Sequence, residues 1–176
     1  SQVCDLYEGN GTLYTVSSYV EGNTLDKIHF SSIKEVLRVV RSIARYLQRL
    51  HEKGYLYLDV KPENIRMYET TPEMVELFDF DAVIPQGIKE DLSGYRVAYS
   101  RGYAPLEQKL GDISRIGTYT DVYAVGALLF FLIFGRTPTA VNCGNEASYD
   151  YTKLKWNALY HPGLYRELTV FFHKTL

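Results

Sequence analysis

Apolar residues recur at three- and four-residue steps through Ile33, Val36, Leu37, Val40, Ile43, Ala44, Leu47 and Leu50, the stripe of an amphipathic helix. Ser32-Ile33-Lys34-Glu35 has the Ser-x-x-Glu form of a capping box at its start, and Gly54 suits its end. The opposite face, Arg38, Arg41, Arg45, Gln48 and Arg49, reads as a solvated surface. A different pattern, nearly unbroken apolarity from Tyr123 to Phe134, predicts a buried core helix. It is too short for a bilayer core, which takes about 20 residues. Thr118-Tyr119-Thr120-Asp121 offers caps for that helix, and Gly135 with Pro138 ends it. A weakly amphipathic helix is predicted around Leu164 to Leu176.

Period-two and turn signals fill the remainder. Gln2–Tyr7 and Thr12–Tyr19 flank Glu8-Gly9-Asn10-Gly11, where Asn-Gly supplies the positive φ angles of a tight hairpin turn. Glu21-Gly22-Asn23 breaks the strand, and Thr24 starts a short helix through Ile28. Tyr55–Leu58, Ile65–Tyr68 and Met74–Phe78 are short apolar pieces between turns such as Lys61-Pro62-Glu63-Asn64 and Thr70-Thr71-Pro72, and read as short strands. Ile84 to Ile116 is rich in Gly, Tyr and charge and reads as irregular, the kind of segment that is functional or mobile.

At 176 residues the chain is one compact unit or a piece of a larger one. Its 46% hydrophobic and 23% charged residues exclude disordered and low-complexity classes. Lys plus Arg number 19 against 21 Asp plus Glu, a net charge of -2, so no basic excess exists to neutralise a phosphate backbone and nucleic acid is not expected as a partner. Two cysteines, Cys4 and Cys143, cannot build a disulfide framework, and Ser1 to Asn10 lacks the basic and apolar regions of a signal peptide. A cytoplasmic protein without a membrane segment is expected.

Asp59, Asn64, Asp79 and Asp81 lie in the loop-rich middle of the chain. Such oxygen ligands suit Mg²⁺, which takes a few carboxylates together with water and phosphates. On spacing alone, the same residues read equally as turn and cap residues satisfying their own backbone, and that reading is favoured.

The flanking residues change that balance. Tyr57-Leu58-Asp59-Val60-Lys61-Pro62-Glu63-Asn64 resembles the catalytic loop of protein kinases, His-Arg-Asp-x-Lys-x-x-Asn, and Asp79-Phe80-Asp81 resembles their Asp-Phe-Gly turn. Tyr103-Ala104-Pro105-Leu106-Glu107 resembles the Ala-Pro-Glu element, and Asp121-Val122-Tyr123-Ala124-Val125-Gly126 resembles the start of the central helix of the large lobe. The style is that of bacterial eukaryotic-type Ser/Thr kinases. The resemblance implies a mainly α, α+β protein-kinase-like fold: a helical C-terminal lobe with short β-hairpins. It implies residues 1–22 as a remnant of small-lobe strands and hinge, and 23–176 as the large lobe, cut short at its C-terminal end. By the same match, Asp59 and Lys61 are catalytic, Asn64 and Asp79 hold Mg²⁺, and Ser18, Val20 and Arg66 meet the nucleotide of ATP. Glu107 and Asp121 are structural, Asp121 bracing the catalytic loop and Glu107 pairing with an arginine beyond Leu176. The implied partner is a protein carrying Ser or Thr.

Several residues depart from the family pattern. Tyr57 and Leu58 replace His and Arg, so the loop lacks the cation that receives a phosphorylated activation segment. Asp81 stands in place of Gly, as a helix cap or a further metal ligand, with the cap favoured. Arg66 replaces an aliphatic adenine floor and needs a partner such as Glu21 or a phosphate. With the glycine-rich loop and its lysine strand missing, this chain alone is expected to be inactive. It is also expected to expose an apolar lobe interface around Leu77, Phe78 and Phe80, through which copies associate. Two alternatives stand beside the kinase reading. One is a pseudokinase or interaction scaffold; the other is a small-molecule kinase of the aminoglycoside or choline type, which Lys61 and Tyr103–Glu107 disfavour.

Overall fold

The computed structural model describes residues 3–19, 21–68, 74–87, 97–138, 140–143, 146–149 and 162–176. The chain opens on the predicted hairpin, β1 (Val3–Gly9) antiparallel to β2 (Thr12–Ser17). Asn10 and Gly11 take φ of 53° and 69°, the left-handed pair a two-residue turn requires. This hairpin packs chiefly on itself, with Tyr7 and Tyr14 stacked at 5.0 Å. Gly22 then brings the chain against the sheet: its φ is 115°, and a Cβ there would lie 2.1 Å from the Met67 carbonyl oxygen. β3 (Asn23–Thr24), β5 (Ile65–Met67) and β6 (Val75–Leu77) form one antiparallel sheet, with β5 central. β4 (Tyr55–Leu56) pairs with β7 (Ile84–Pro85). A last hairpin joins β8 (Ala140–Cys143) to β9 (Glu146–Tyr149).

Helix α1 (Ile33–Glu52) follows the apolar stripe, burying Val36, Val39, Val40, Ile43 and Leu47 while the five polar residues of the opposite face stay exposed. Ala44, placed on the stripe by period, is exposed. The start differs from the predicted box by one residue. Ser32 accepts the Glu35 amide, but the Glu35 carboxylate returns to the Ser31 amide and hydroxyl, at 3.0 and 2.8 Å, rather than to Ser32. These bonds hold the Glu35 carboxyl below its usual value. Gly54, at φ 83°, ends the helix.

Helix α3 (Thr118–Phe134) is the predicted buried helix, and Gly135 caps it at φ 69°. Its N-cap is Gly117, one residue before the predicted group, and the Gly117 amide donates to Thr120 Oγ1 at 3.1 Å. α1 and α3 pack across the main core with α4 (Pro162–Thr175), whose Phe172 meets Phe130 edge-on at 5.4 Å. No helix among the described residues is long and apolar enough to cross a membrane.

Three expectations are corrected. Between Ile84 and Ile116 the described residues include β7, a short helix α2 (Leu106–Lys109) and a 3₁₀ turn at Ile113–Arg115, so the segment is less irregular than its composition suggests. Leu77 is fully buried, because β6 lies beneath α1 in the main core. Phe78 is half-buried, and only Phe80 of that trio is exposed. Asp81 caps no helix; it lies in a turn in which the Val83 amide donates to the Phe80 carbonyl. The predicted turn Thr70-Thr71-Pro72 lies outside the described residues.

Candidate active site

Asp59 follows β4, at the point where α1, α3 and the short strands converge. Its Oδ2 accepts from Lys61 Nζ at 2.6 Å and from Asn64 Nδ2 at 2.7 Å; its Oδ1 accepts from Ser100 Oγ at 2.5 Å. Lys61 Nζ also donates to Ser100 Oγ at 3.2 Å, and Asn64 Nδ2 to the Asp59 carbonyl at 3.1 Å. The 3₁₀ turn at Pro62–Asn64, started by a proline with fixed φ, folds Asn64 back over Asp59. Asn64 is buried, while Lys61 and Asp59 keep 24% and 11% of their side chains exposed, enough for a solvent-borne group to reach them.

The loop is braced from below by Asp121, fully buried in the first turn of α3. Its Oδ1 accepts the Leu58 amide at 2.8 Å; its Oδ2 accepts the Tyr57 amide at 2.9 Å and His51 Nε2 at 2.7 Å. Leu58 has φ 65°, an uncommon conformation for a side-chain-bearing residue, held here by its amide bond to Asp121 and its buried side chain. Glu107, the other residue expected to be structural, receives the Thr120 hydroxyl at 3.3 Å.

Asp79 is exposed on a second left-handed residue, φ 61°. The Phe78 amide donates to the Asn64 carbonyl, so Asn64 and Asp79 sit at the same end of the β5–β6 pair. The donor set fits Mg²⁺. The Asn64 amide nitrogen is spent on Asp59, which leaves its oxygen, and Asp79 adds a carboxylate. Mg²⁺ takes few protein ligands and several waters, so one amide oxygen and one carboxylate are the kind of contribution it asks of a protein. Tyr57 lies under this turn. It donates its hydroxyl to the Phe78 carbonyl and meets Phe80 edge-on at 5.6 Å. Burial, then the charges of Asp59 and Asp79, push its phenol well above the usual value, so it stays a donor.

The nucleotide residues are less gathered. Ser18 is exposed after β2, and Val20 lies outside the described residues. The Arg66 guanidinium lies 5.1 Å from the Tyr19 ring and 5.3 Å from the Phe78 ring, in reach of both aromatic faces.

Two polar residues of the site, Ser100 and Gln108, carry no motif signal, and a third, His51, carries only a weak one, falling four residues after Leu47 on an otherwise apolar stripe. Gln108 is buried in α2, and its Nε2 donates to the carbonyls of Leu58 and Ala98. Gly102, at φ 90°, turns the chain after Ser100 so closely that a Cβ would lie 2.7 Å from Thr137.

Residues 1–161 match the family model described as "Protein kinase domain". Serine/threonine-protein kinase D of Synechocystis is 28% identical over 167 residues, covering 90% of this chain and 31% of that protein. Serine/threonine-protein kinase B of the same organism is 27% identical over 161 residues, covering 82% and 27%. Smooth-muscle myosin light chain kinase of Gallus gallus is 24% identical over 161 residues, covering 89% and 8%. The chain therefore spans less than a third of the length of each of these relatives.

Proposed function

The chain belongs to the protein kinase domain family, of the bacterial eukaryotic-type Ser/Thr kind, and from that premise we propose that it is the large lobe of an enzyme moving the γ-phosphoryl of ATP to protein Ser or Thr hydroxyls. The assignment of residues 1–22 to the last small-lobe strands and hinge, and of 23–176 to the large lobe, belongs to the same proposal, as does a cytoplasmic location. One observation carries it. Asp59, Lys61, Asn64 and Ser100 form a single hydrogen-bonded cluster, placed by a buried carboxylate that bonds the two amides before Asp59.

Phosphoryl transfer asks a protein for position and charge more than for covalent chemistry. Asp59 orients the incoming hydroxyl and takes up its proton at a carboxylate oxygen. Asn64 holds that carboxylate in one rotamer, so its aim costs no reorganisation when the substrate arrives. Lys61, a compact cation beside Asp59, lowers the energy of negative charge building on the transferred group. Asn64 Oδ1 and the Asp79 carboxylate would hold Mg²⁺, which supplies charge neutralisation on the phosphates. Ser18, Val20 and Arg66 would contact the nucleotide. A peptide acceptor is favoured over a small alcohol by Lys61 in the cluster and by the Tyr103–Glu107 element.

A second reading, a scaffold that binds no nucleotide, is favoured by Arg66, whose cation rather than an apolar side chain faces Tyr19 and Phe78. Calorimetric titration of Mg·ATP separates the two, with phosphotransfer by the full-length protein measured alongside. Binding lost in Asp79→Asn and turnover lost in Asp59→Asn support the kinase. A full-length protein that binds no Mg·ATP and labels no peptide refutes it. The isolated chain is expected to show no autophosphorylation.

A further inference from the structure

Gln108 is 1% exposed, a long polar side chain where an unpaired amide costs about 1–3 kcal/mol. It is paired across two distant stretches: Nε2 donates to the Leu58 carbonyl at 2.6 Å and to the Ala98 carbonyl at 2.8 Å. Leu58 immediately precedes Asp59, and Ala98 lies two residues before Ser100, whose hydroxyl meets Asp59. Leu58 is thereby held on every side. Its amide goes to Asp121, its carbonyl to Gln108, and its side chain packs with Leu56 and Ile84 against Val97 and Ile116. The joint between the loop and residues 97–100 thus consists of the two Gln108 hydrogen bonds, the bonds of the Ser100 hydroxyl with Asp59 and Lys61, and an apolar contact, every one made by groups of this chain. Position 58 carries no cation to which a phosphate could be drawn.

We infer that Gln108 is a positioning residue. Its amide clamps residues 97–100 to the catalytic loop and sets the Ser100–Asp59 pairing, so this docking requires no added phosphate. The kinetic consequence rests on the kinase reading; the structural one does not.

The test uses the full-length protein with Gln108→Met and Gln108→Glu. Gln108→Met keeps the volume and removes the donor. Amide exchange over residues 97–104 is expected to rise about tenfold, for two neutral hydrogen bonds, while exchange in α1 is unchanged. kcat falls by a similar factor, with KM for ATP held within about twofold. Gln108→Glu distinguishes a clamp from a filler. An ionised carboxylate faces two carbonyl oxygens and donates to neither, whereas the protonated acid donates to one. Protection and kcat in that variant are therefore expected to be lost near about pH 8 and partly regained near about pH 6, against the wild-type trend. If Gln108→Met does not fold, Gln108→Glu carries the test alone. Local exchange unchanged in the variants, or raised uniformly along the chain, overturns the inference, as does a rise in exchange over 97–104 when phosphatase treats the wild type. A wild-type protein with no phosphotransfer sinks the kinase reading, and the exchange contrast then decides the role of Gln108.

Discussion

Asp121→Asn tests the brace on which the whole site stands. The carboxylate accepts three hydrogen bonds, from the Tyr57 and Leu58 amides and from His51 Nε2. An asparagine has one accepting oxygen and one donating nitrogen. Whichever way its amide is turned, at least one backbone N–H faces an NH₂ group. One charge-assisted bond is lost, about 1.5–3 kcal/mol, and a buried donor is left unpaired, about 1–3 kcal/mol, the two overlapping in part. A net loss of about 3 kcal/mol is expected, roughly a hundredfold in the folding equilibrium and a large share of the ~5–15 kcal/mol that holds a typical domain. Urea denaturation reads it as a lower midpoint at unchanged slope. His51→Ala should cost only about 1 kcal/mol, since that ring keeps 16% exposure and leaves both amides satisfied. A loss below about 1 kcal/mol for Asp121→Asn would show that the loop is held by its packing and not by this carboxylate.

Three further outcomes are expected. The Tyr57 phenol is raised in the folded chain, chiefly by burial, so its contribution to stability is complete below its ordinary value of 10.0 and is lost as pH climbs beyond it. Tyr57→Phe should flatten the alkaline limb of a stability-against-pH curve while lowering stability at neutral pH by about 1 kcal/mol through the lost bond to the Phe78 carbonyl, and an unchanged alkaline limb refutes this. Gly22→Ala should cost about 3 kcal/mol or more, because the new methyl collides with the Met67 carbonyl at a φ of 115°; a neutral result by thermal melting would mean that β3 leaves β5 at little cost. Copies of the chain should associate through the hairpin face bearing Tyr7, Tyr14 and Val16, which stand 51%, 39% and 43% exposed, and a monomer by light scattering at high concentration counts against it.

Much of this architecture is legible in the sequence because it is local. The period of α1, the unbroken apolarity of α3, the Asn-Gly turn and the folding of Asn64 onto Asp59 each involve residues within a few positions of one another. The rest is written across distance. Ser100 meets Asp59 at a separation of 41 residues, Gln108 meets Leu58 at 50, and His51 meets Asp121 at 70, and no periodicity links such pairs. Leu77 misled for another reason. A three-residue strand is too short for alternation to say which face is buried, and the contact with α1 decides it. The one-residue shift of the Glu35 bond arises because the Ser31 amide and hydroxyl together offer that carboxylate two donors.

The brace on the catalytic loop also sets an order of events during synthesis. The loop's amides are held by a carboxylate 63 and 64 residues downstream. The opening hairpin and α1 close over short chain separations, on the microsecond scale of such elements. A ribosome that has delivered the chain only as far as Gly117 has therefore released every residue of Tyr57–Asn64, with Ser100 and Gln108 that bond to it, but not the carboxylate that holds the Tyr57 and Leu58 amides. The backbone brace is complete only when α3 emerges, so the loop is synthesised well before the carboxylate that holds its amides.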